Sequence, residues 1–216
     1  MTAKENIWQE WTDRYVDTEN PTPLFETDEN LVVKYKNYGK DDRRILKRSE
    51  GMETLVREEG RRVINDWSTS DDTYDGLIYL MYWLKDGDII PLYVGKAGKY
   101  GRDDEGLSAN LRGLRGSSTG KFARWGDGHY YHIGNLSAIV FGHDKNQKQK
   151  YEKWADRLFE EGRQLRQQTY FWTKAWRKDD IGLYHGFEVP LEQLEYQIIG
   201  LVSDLYSNQL LNEEGA

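Results

Sequence analysis

The chain contains no cysteine. That excludes disulfides, thiolate nucleophiles and cysteine-type zinc sites, and it fits a reducing compartment, so a cytoplasmic protein is expected. Proline is scarce, four in 216 residues, whereas tryptophan and tyrosine are plentiful at eight and fifteen. Such a composition belongs to a folded domain rather than a disordered one. No apolar run approaches the roughly 20 residues that a membrane-spanning helix needs. The first six residues are polar, so no apolar leader and no membrane partner are expected. Only four histidines are present, and no His, Asp or Glu cluster has zinc spacing. Phosphate-binding and dinucleotide glycine fingerprints are also missing, because Gly95-Lys96-Ala97-Gly98 lacks the context of either.

A net charge of −7 argues against nucleic acid only if charge is averaged over the molecule. Phosphate contacts depend on local clusters. Three segments are locally basic. One runs from Lys34 through Arg48 and interleaves cations with tyrosines. Another carries Lys96, Lys99, Arg102, Arg112, Arg115, Lys121 and Arg124 against Asp103, Asp104 and Glu105. The third spans 145–178.

Gly76-Leu77-Ile78-Tyr79 and Tyr93-Val94-Gly95-Lys96 flank a Lys85-Asp86-Gly87-Asp88 turn. Apolar runs at 77–83 and 89–94 around Asp-Gly predict a β-hairpin. A tight two-residue turn would set Tyr79 opposite Val94. The two tyrosines then share a face only if the ladder is irregular, and an irregularity is expected near 89–91, where Pro91 removes a donor. Gly95 allows a close backbone approach, and Lys96 and Lys99 add cations, which makes these three candidate substrate-binding residues.

Toward the C-terminus, Leu194, Ile198, Leu201, Val202 and Leu205 recur at helical spacing. Pro190 suits the first turn of that helix. Glu195 lies one step off the apolar stripe, within Leu194-Glu195-Tyr196-Gln197-Ile198-Ile199, and Leu210-Leu211-Asn212 follows.

Together these three pieces resemble the GIY-YIG nuclease family, over roughly 76–142 and 188–212. Gly-Leu-Ile-Tyr stands for the first motif strand, Tyr-Val-Gly for the second, and the glutamate helix and the Leu-Leu-Asn phrase follow in the family's order. The resemblance implies an α+β fold, a small antiparallel β-sheet flanked by helices. It implies a metal-dependent endonuclease that hydrolyses phosphodiester bonds in double-stranded DNA, of restriction or defence type. Glu195 would be the metal ligand, for Mg²⁺ or alternatively Mn²⁺. Tyr79 and Tyr93 would belong to the active centre, where one of them deprotonates or merely orients the attacking water. A phenol has a pKa of ~10, so a phenolate base would need nearby cations or the metal. The family's phosphate-binding arginine has three candidates here, Arg102, Arg112 and Arg124. Asn212 would bind substrate, and His132 is a further substrate candidate, although a lone strand histidine is more often structural. One active centre per chain implies a homodimer on DNA or sequential nicks. The alternatives are a non-catalytic nucleic-acid-binding protein on the same fold and an RNA-cleaving or repair nuclease.

Elsewhere the patterning predicts a short helix at 7–11, a strand at 31–36 and an amphipathic helix at 50–67. The polar stretch at 68–72 reads as a boundary between an N-terminal extension, 1–70, and a core, 71–216, with a helical insertion at about 144–186. A helix is expected at 107–114, a strand at 130–141 and a long charged helix at 145–166.

Overall fold

The computed structural model describes residues 1–101, 106–116, 119–143 and 149–212. The chain is an α+β protein in which small antiparallel sheets are flanked by six helices. The central sheet has three strands, β3 (Tyr74–Lys85), β4 (Asp88–Gly98) and β7 (Tyr170–Arg177), in the order β4-β3-β7. Two smaller hairpins complete the strands: β1 (Tyr35–Tyr38) with β2 (Arg43–Leu46), and β5 (Phe159–Glu161) with β6 (Gln164–Leu165).

The β3–β4 hairpin closes through Asp86 and Gly87, both in the left-handed region at φ 54° and 92°. This double positive φ makes Asp-Gly a tight-turn signal. From Lys85↔Asp88 to Tyr82↔Pro91 the ladder is regular, and then it shifts, so that Met81 pairs with Tyr93 and Tyr79 with Gly95. Leu92 is the extra residue. The irregularity expected at 89–91 therefore falls immediately after Pro91. Beyond it, Tyr79 and Tyr93 lie on one face.

Both sheet faces are covered, which is why 77–83 reads as a nearly unbroken apolar run. One face presents Leu77, Tyr79, Met81 and Tyr93. It packs on α2 (Glu50–Thr69), α4 (His132–Val140) and α5 (Gln149–Leu158). The other face presents Ile78, Leu80, Val94 and Trp176 to α1 (Ala3–Tyr15) and α6 (Leu191–Leu205). The short α3 (Ala109–Arg112) and 3₁₀ turns at Gly113–Arg115 and Phe122–Arg124 link the hairpin to α4.

Local sequence explains the helix starts. Thr2 and Glu5 form a reciprocal capping box on α1, and the Ser49 hydroxyl accepts the Met52 N–H at 3.0 Å on α2. Residues 1–70 enter both cores, through Trp8 and Trp11 on one face and Met52, Val56 and Val63 on the other.

Three expectations are corrected. The segment 130–141 holds helix α4, not a strand. Seven consecutive residues from His132 to Ala138 are buried there, so no amphipathic period marks the helix, and aromatic and branched content mimics a strand. The expected helix at 145–166 is helical only as α5 among the described residues, and its end turns into the β5–β6 hairpin. The expected strand at 31–36 begins only at Tyr35, while Val32 and Val33 make isolated bridges. Within the expected insertion, Tyr170–Arg177 supplies the third strand of the central sheet.

Candidate active site

At the outer edge of β4, a polar cavity of about 330 Å³ is lined by Tyr79, Tyr93, Lys96, Arg124, Glu195 and Asn212, together with Lys150, Tyr196 and Ile199. The two tyrosine rings lie 6.3 Å apart and within 26° of parallel. Gly95 makes that stacking feasible. A Cβ there would come within 2.5 Å of the Tyr79 ring. Gly76 is fixed similarly, at φ 149° with a Cβ position only 2.3 Å from the Ala97 carbonyl oxygen. Both motif glycines thus answer a steric demand.

The Tyr79 hydroxyl donates to the Lys96 carbonyl at 3.1 Å. Tyr79 is buried, and burial first, then the Tyr93 and Glu195 charges, raises its phenol well above the ordinary value, with Arg124 opposing. It stays protonated, so it is a hydrogen-bond donor and not a phenolate base.

Lys96 sits on the opposite face from Tyr79, where its ammonium meets Glu195 Oε2 at 2.9 Å and Glu192 Oε1 at 3.4 Å. Burial works against the Lys96 charge, but the Glu195 hydrogen bond and the two carboxylates outweigh it, and the net shift is upward. The cavity wraps the strand edge, so groups from both faces reach it. Glu195 Oε1 makes no hydrogen bond or ion pair among the described residues, and no group of three or more His, Asp or Glu gathers there. One carboxylate oxygen in a polar cavity fits a hard cation that keeps most of its water, such as Mg²⁺.

Of the three arginine candidates, Arg124 lines the cavity. Arg112 does not. It is exposed in a separate cleft with Trp67 and Arg115, because the hairpin exit carries α3 away from the strand edge. Arg102 lies outside the described residues. Burial opposes the Arg124 charge, and the facing Tyr79, Tyr93, Tyr151 and Glu195 more than restore it.

Arg124 is delivered by an unusual turn. Phe122, Ala123 and Arg124 have φ of 36°, 49° and 75°, three consecutive non-glycine residues in left-handed geometry. Each costs about 1–2 kcal/mol, so the surroundings must over-determine the turn. They do. Phe122 and Trp125 are fully buried. The buried Arg48 guanidinium stacks 4.5 Å from the Phe122 ring centre and donates to the Trp125 carbonyl at 2.8 Å and to Asp127 Oδ1 at 2.6 Å. Asp127 also takes Lys36 at 2.8 Å and the Thr119 hydroxyl.

Asn212 clamps the motif strand. Its amide donates to the Val94 carbonyl at 2.8 Å, and its oxygen accepts the Val94 N–H at 3.0 Å. It covers the β4 edge between Tyr93 and Gly95, so its expected phosphate contact becomes a positioning role. Two other candidates are corrected outright. Lys99 is buried in an ion pair with Asp66 at 2.6 Å. His132 is buried at the start of α4, with Nδ1 2.9 Å from the Tyr151 hydroxyl and its ring 5.1 Å from that of Tyr93. It backs the cavity without lining it. Burial, then the Lys150 and Arg124 charges, pushes it well below the ordinary histidine range.

The residues that sequence reasoning missed are Tyr151, Lys150 and Tyr196. Lys150 Nζ stands 4.8 Å from the Tyr93 ring centre, and exposed Tyr196 lies under Lys96 Nζ at 5.5 Å. Tyr151 shares an α5 face with Trp154, which is how any packing residue looks. No motif marks these three.

The chain matches no protein-family model, no curated protein and no solved structure. No described helix is long and apolar enough to cross a membrane.

Proposed function

We propose that the chain is a metal-dependent DNA endonuclease of GIY-YIG type, hydrolysing phosphodiester bonds in a restriction or defence role. One observation carries this reading. Tyr79, Tyr93, Lys96, Arg124 and Glu195, from β3, β4, the turn at 122–124 and α6, converge on one polar cavity at the edge of β4.

In this reading the Arg124 fork binds the scissile phosphate and offsets charge that builds up on it. Tyr93 orients the attacking water by a hydrogen bond. Tyr79, fixed as a phenol, keeps the motif strands at their spacing and holds a donor at the cavity wall. Lys96 holds the Glu195 carboxylate in place and adds positive field. Glu195 would hold Mg²⁺, with Mn²⁺ as the alternative, and the ion would supply Lewis-acid stabilisation of phosphate charge. The non-catalytic reading leaned on the lack of a well-placed arginine, and Arg124 weakens that case.

The test is cleavage of a mixed panel of plasmid and phage DNA, with Mg²⁺ and with EDTA. Wild type should give Mg²⁺-dependent fragments. Glu195→Ala, Tyr93→Phe and Arg124→Ala should each lose at least about 100-fold in rate, as removal of one stabilising donor does, while DNA binding persists. Wild-type rates in Glu195→Ala and Arg124→Ala would refute the site.

A further inference from the structure

The cations of this chain fall into two populations. Several are neutralised internally. Lys34 and Lys47 share Glu26, Lys36 and Arg48 go to Asp127, Lys99 to Asp66, Lys174 to Asp180 and Lys178 to Asp72. The basic segment at 34–48 spends four of its seven cations in this way.

One face gathers five cations that no carboxylate neutralises among the described residues. Arg57 and Arg61 stand four residues apart on α2. Arg112 and Arg115 follow from α3 and the adjoining 3₁₀ turn, and Lys121 comes next. None of these five has a carboxylate partner among the described residues. Arg115 borders two surface clefts. One, of about 360 Å³, holds Trp67 and Arg112, and the other, of about 370 Å³, holds Arg57 and Arg61. The guanidinium carbon of Arg115 lies 4.9 Å from the Trp67 ring centre, and that of Arg57 lies 5.2 Å from Phe122. An aromatic seat orients a guanidinium and leaves outward N–H groups for an anion, although one Arg57 N–H already donates to the Gly116 carbonyl at 3.4 Å. The track also has a direction. Arg57 seats on Phe122, which begins the strained turn that ends at Arg124 in the cavity.

We propose that this face binds the phosphate backbone of duplex DNA, flanking the bond held at Arg124. The inference rests on the nuclease reading. Planar forks in series suit phosphate oxygens, which occur at about one charge per 1.7 Å along a duplex. Four unpaired arginines on one face of an acidic molecule repel one another until a polyanion covers them.

The experiment measures binding of a 30-base-pair duplex in EDTA across a NaCl series, for wild type and for R57Q/R61Q/R112Q/R115Q. The variant should bind at least tenfold more weakly on every sequence. Its slope of log K against log salt should be shallower by about 0.9 for each arginine that holds a phosphate. The matching quadruple Arg→Lys variant should keep most of the slope, which separates lost charge from a damaged fold. Unchanged affinity and slope in the glutamine variant, with cleavage intact in wild type, overturn this inference and leave the nuclease reading standing. Absence of salt-dependent duplex binding by wild type overturns both. Tighter binding of an equal-length RNA duplex through the same arginines overturns the assignment to DNA.

Discussion

Single residues here do unlike jobs with like chemistry. Tyr79 and Tyr93 line one cavity, and the Tyr79 hydroxyl is tied to the Lys96 backbone carbonyl across the ladder. The neighbouring His132 makes its environment measurable. Its folded pKa lies below the ordinary value of about 6.5. The unfolded chain therefore binds this proton first as pH falls, and the group's contribution to stability is full above pH 6.5 and lost below it. The expected slope is about 1.4 kcal/mol per pH unit. Urea unfolding between pH 7.5 and 5 should show this loss in wild type and a flatter curve in His132→Gln, which can still hydrogen-bond Tyr151. Equal slopes would mean that His132 takes up its proton over the same pH range in the fold as in the unfolded chain. Tyr79, Tyr93 and Glu195 were legible in the sequence because each sits in a phrase whose neighbours fix its geometry. His132 and Lys99 were not, because burial and a partner more than eighteen residues away, Tyr151 or Asp66, decide their state.

Among elements, the hairpin and its turn were legible, and its irregularity was legible to within a residue, since Asp86-Gly87 and Pro91 each have a backbone consequence of their own. The shift at Leu92 puts Tyr79 and Tyr93 on one face, as a regular ladder would not. Helix α4 was illegible for the opposite reason, because burial on every side erases the period that identifies a helix. Arg124 was one candidate of three, and its selection depends on a left-handed turn that no local rule anticipates for Phe-Ala-Arg. The hairpin yields a sharp test at Gly95. In Gly95→Ala the added methyl would meet the Tyr79 ring at 2.5 Å, so the strand or the buried ring must shift. Overpacking of this kind costs about 1–3 kcal/mol, and the melting temperature should drop by about 2–12 °C for a chain of this size. Cleavage should fall with it as the ring tilts and loses the Lys96 carbonyl. Adding Tyr79→Leu should recover stability without recovering cleavage. A Gly95→Ala protein with native stability would show that the ring is free to move.

The molecule as a whole is tied together across the stretch at 68–72 that reads as a boundary. Asp66, at the end of α2, accepts the N–H groups of Thr73 and Tyr74 at 2.8 and 3.3 Å and pairs with Lys99 beyond β4. Asp72 holds Lys178 after β7 at 2.6 Å. A polar, charged stretch looks like a linker in sequence because its partners lie about 30 and 100 residues away in the chain. These links join the first seventy residues to the sheet that carries the cavity, and cooperative unfolding of the whole is expected. Burial alone would raise the Asp66 carboxyl, but Lys99 and the two backbone donors reverse that and hold it below its ordinary 3.8. Because the folded value is the lower one, its contribution is present above pH 3.8 and lost as pH falls toward the folded value. Asp66→Asn leaves the buried Lys99 ammonium without its carboxylate, which costs about 3–5 kcal/mol at neutral pH. The variant should also lose less stability than wild type as pH falls below 4. Denaturant titrations at pH 7 and at pH 3 check both. The gap between the two proteins should narrow in acid, and a gap that stays constant would mean that the Asp66–Lys99 pair contributes through packing rather than through charge.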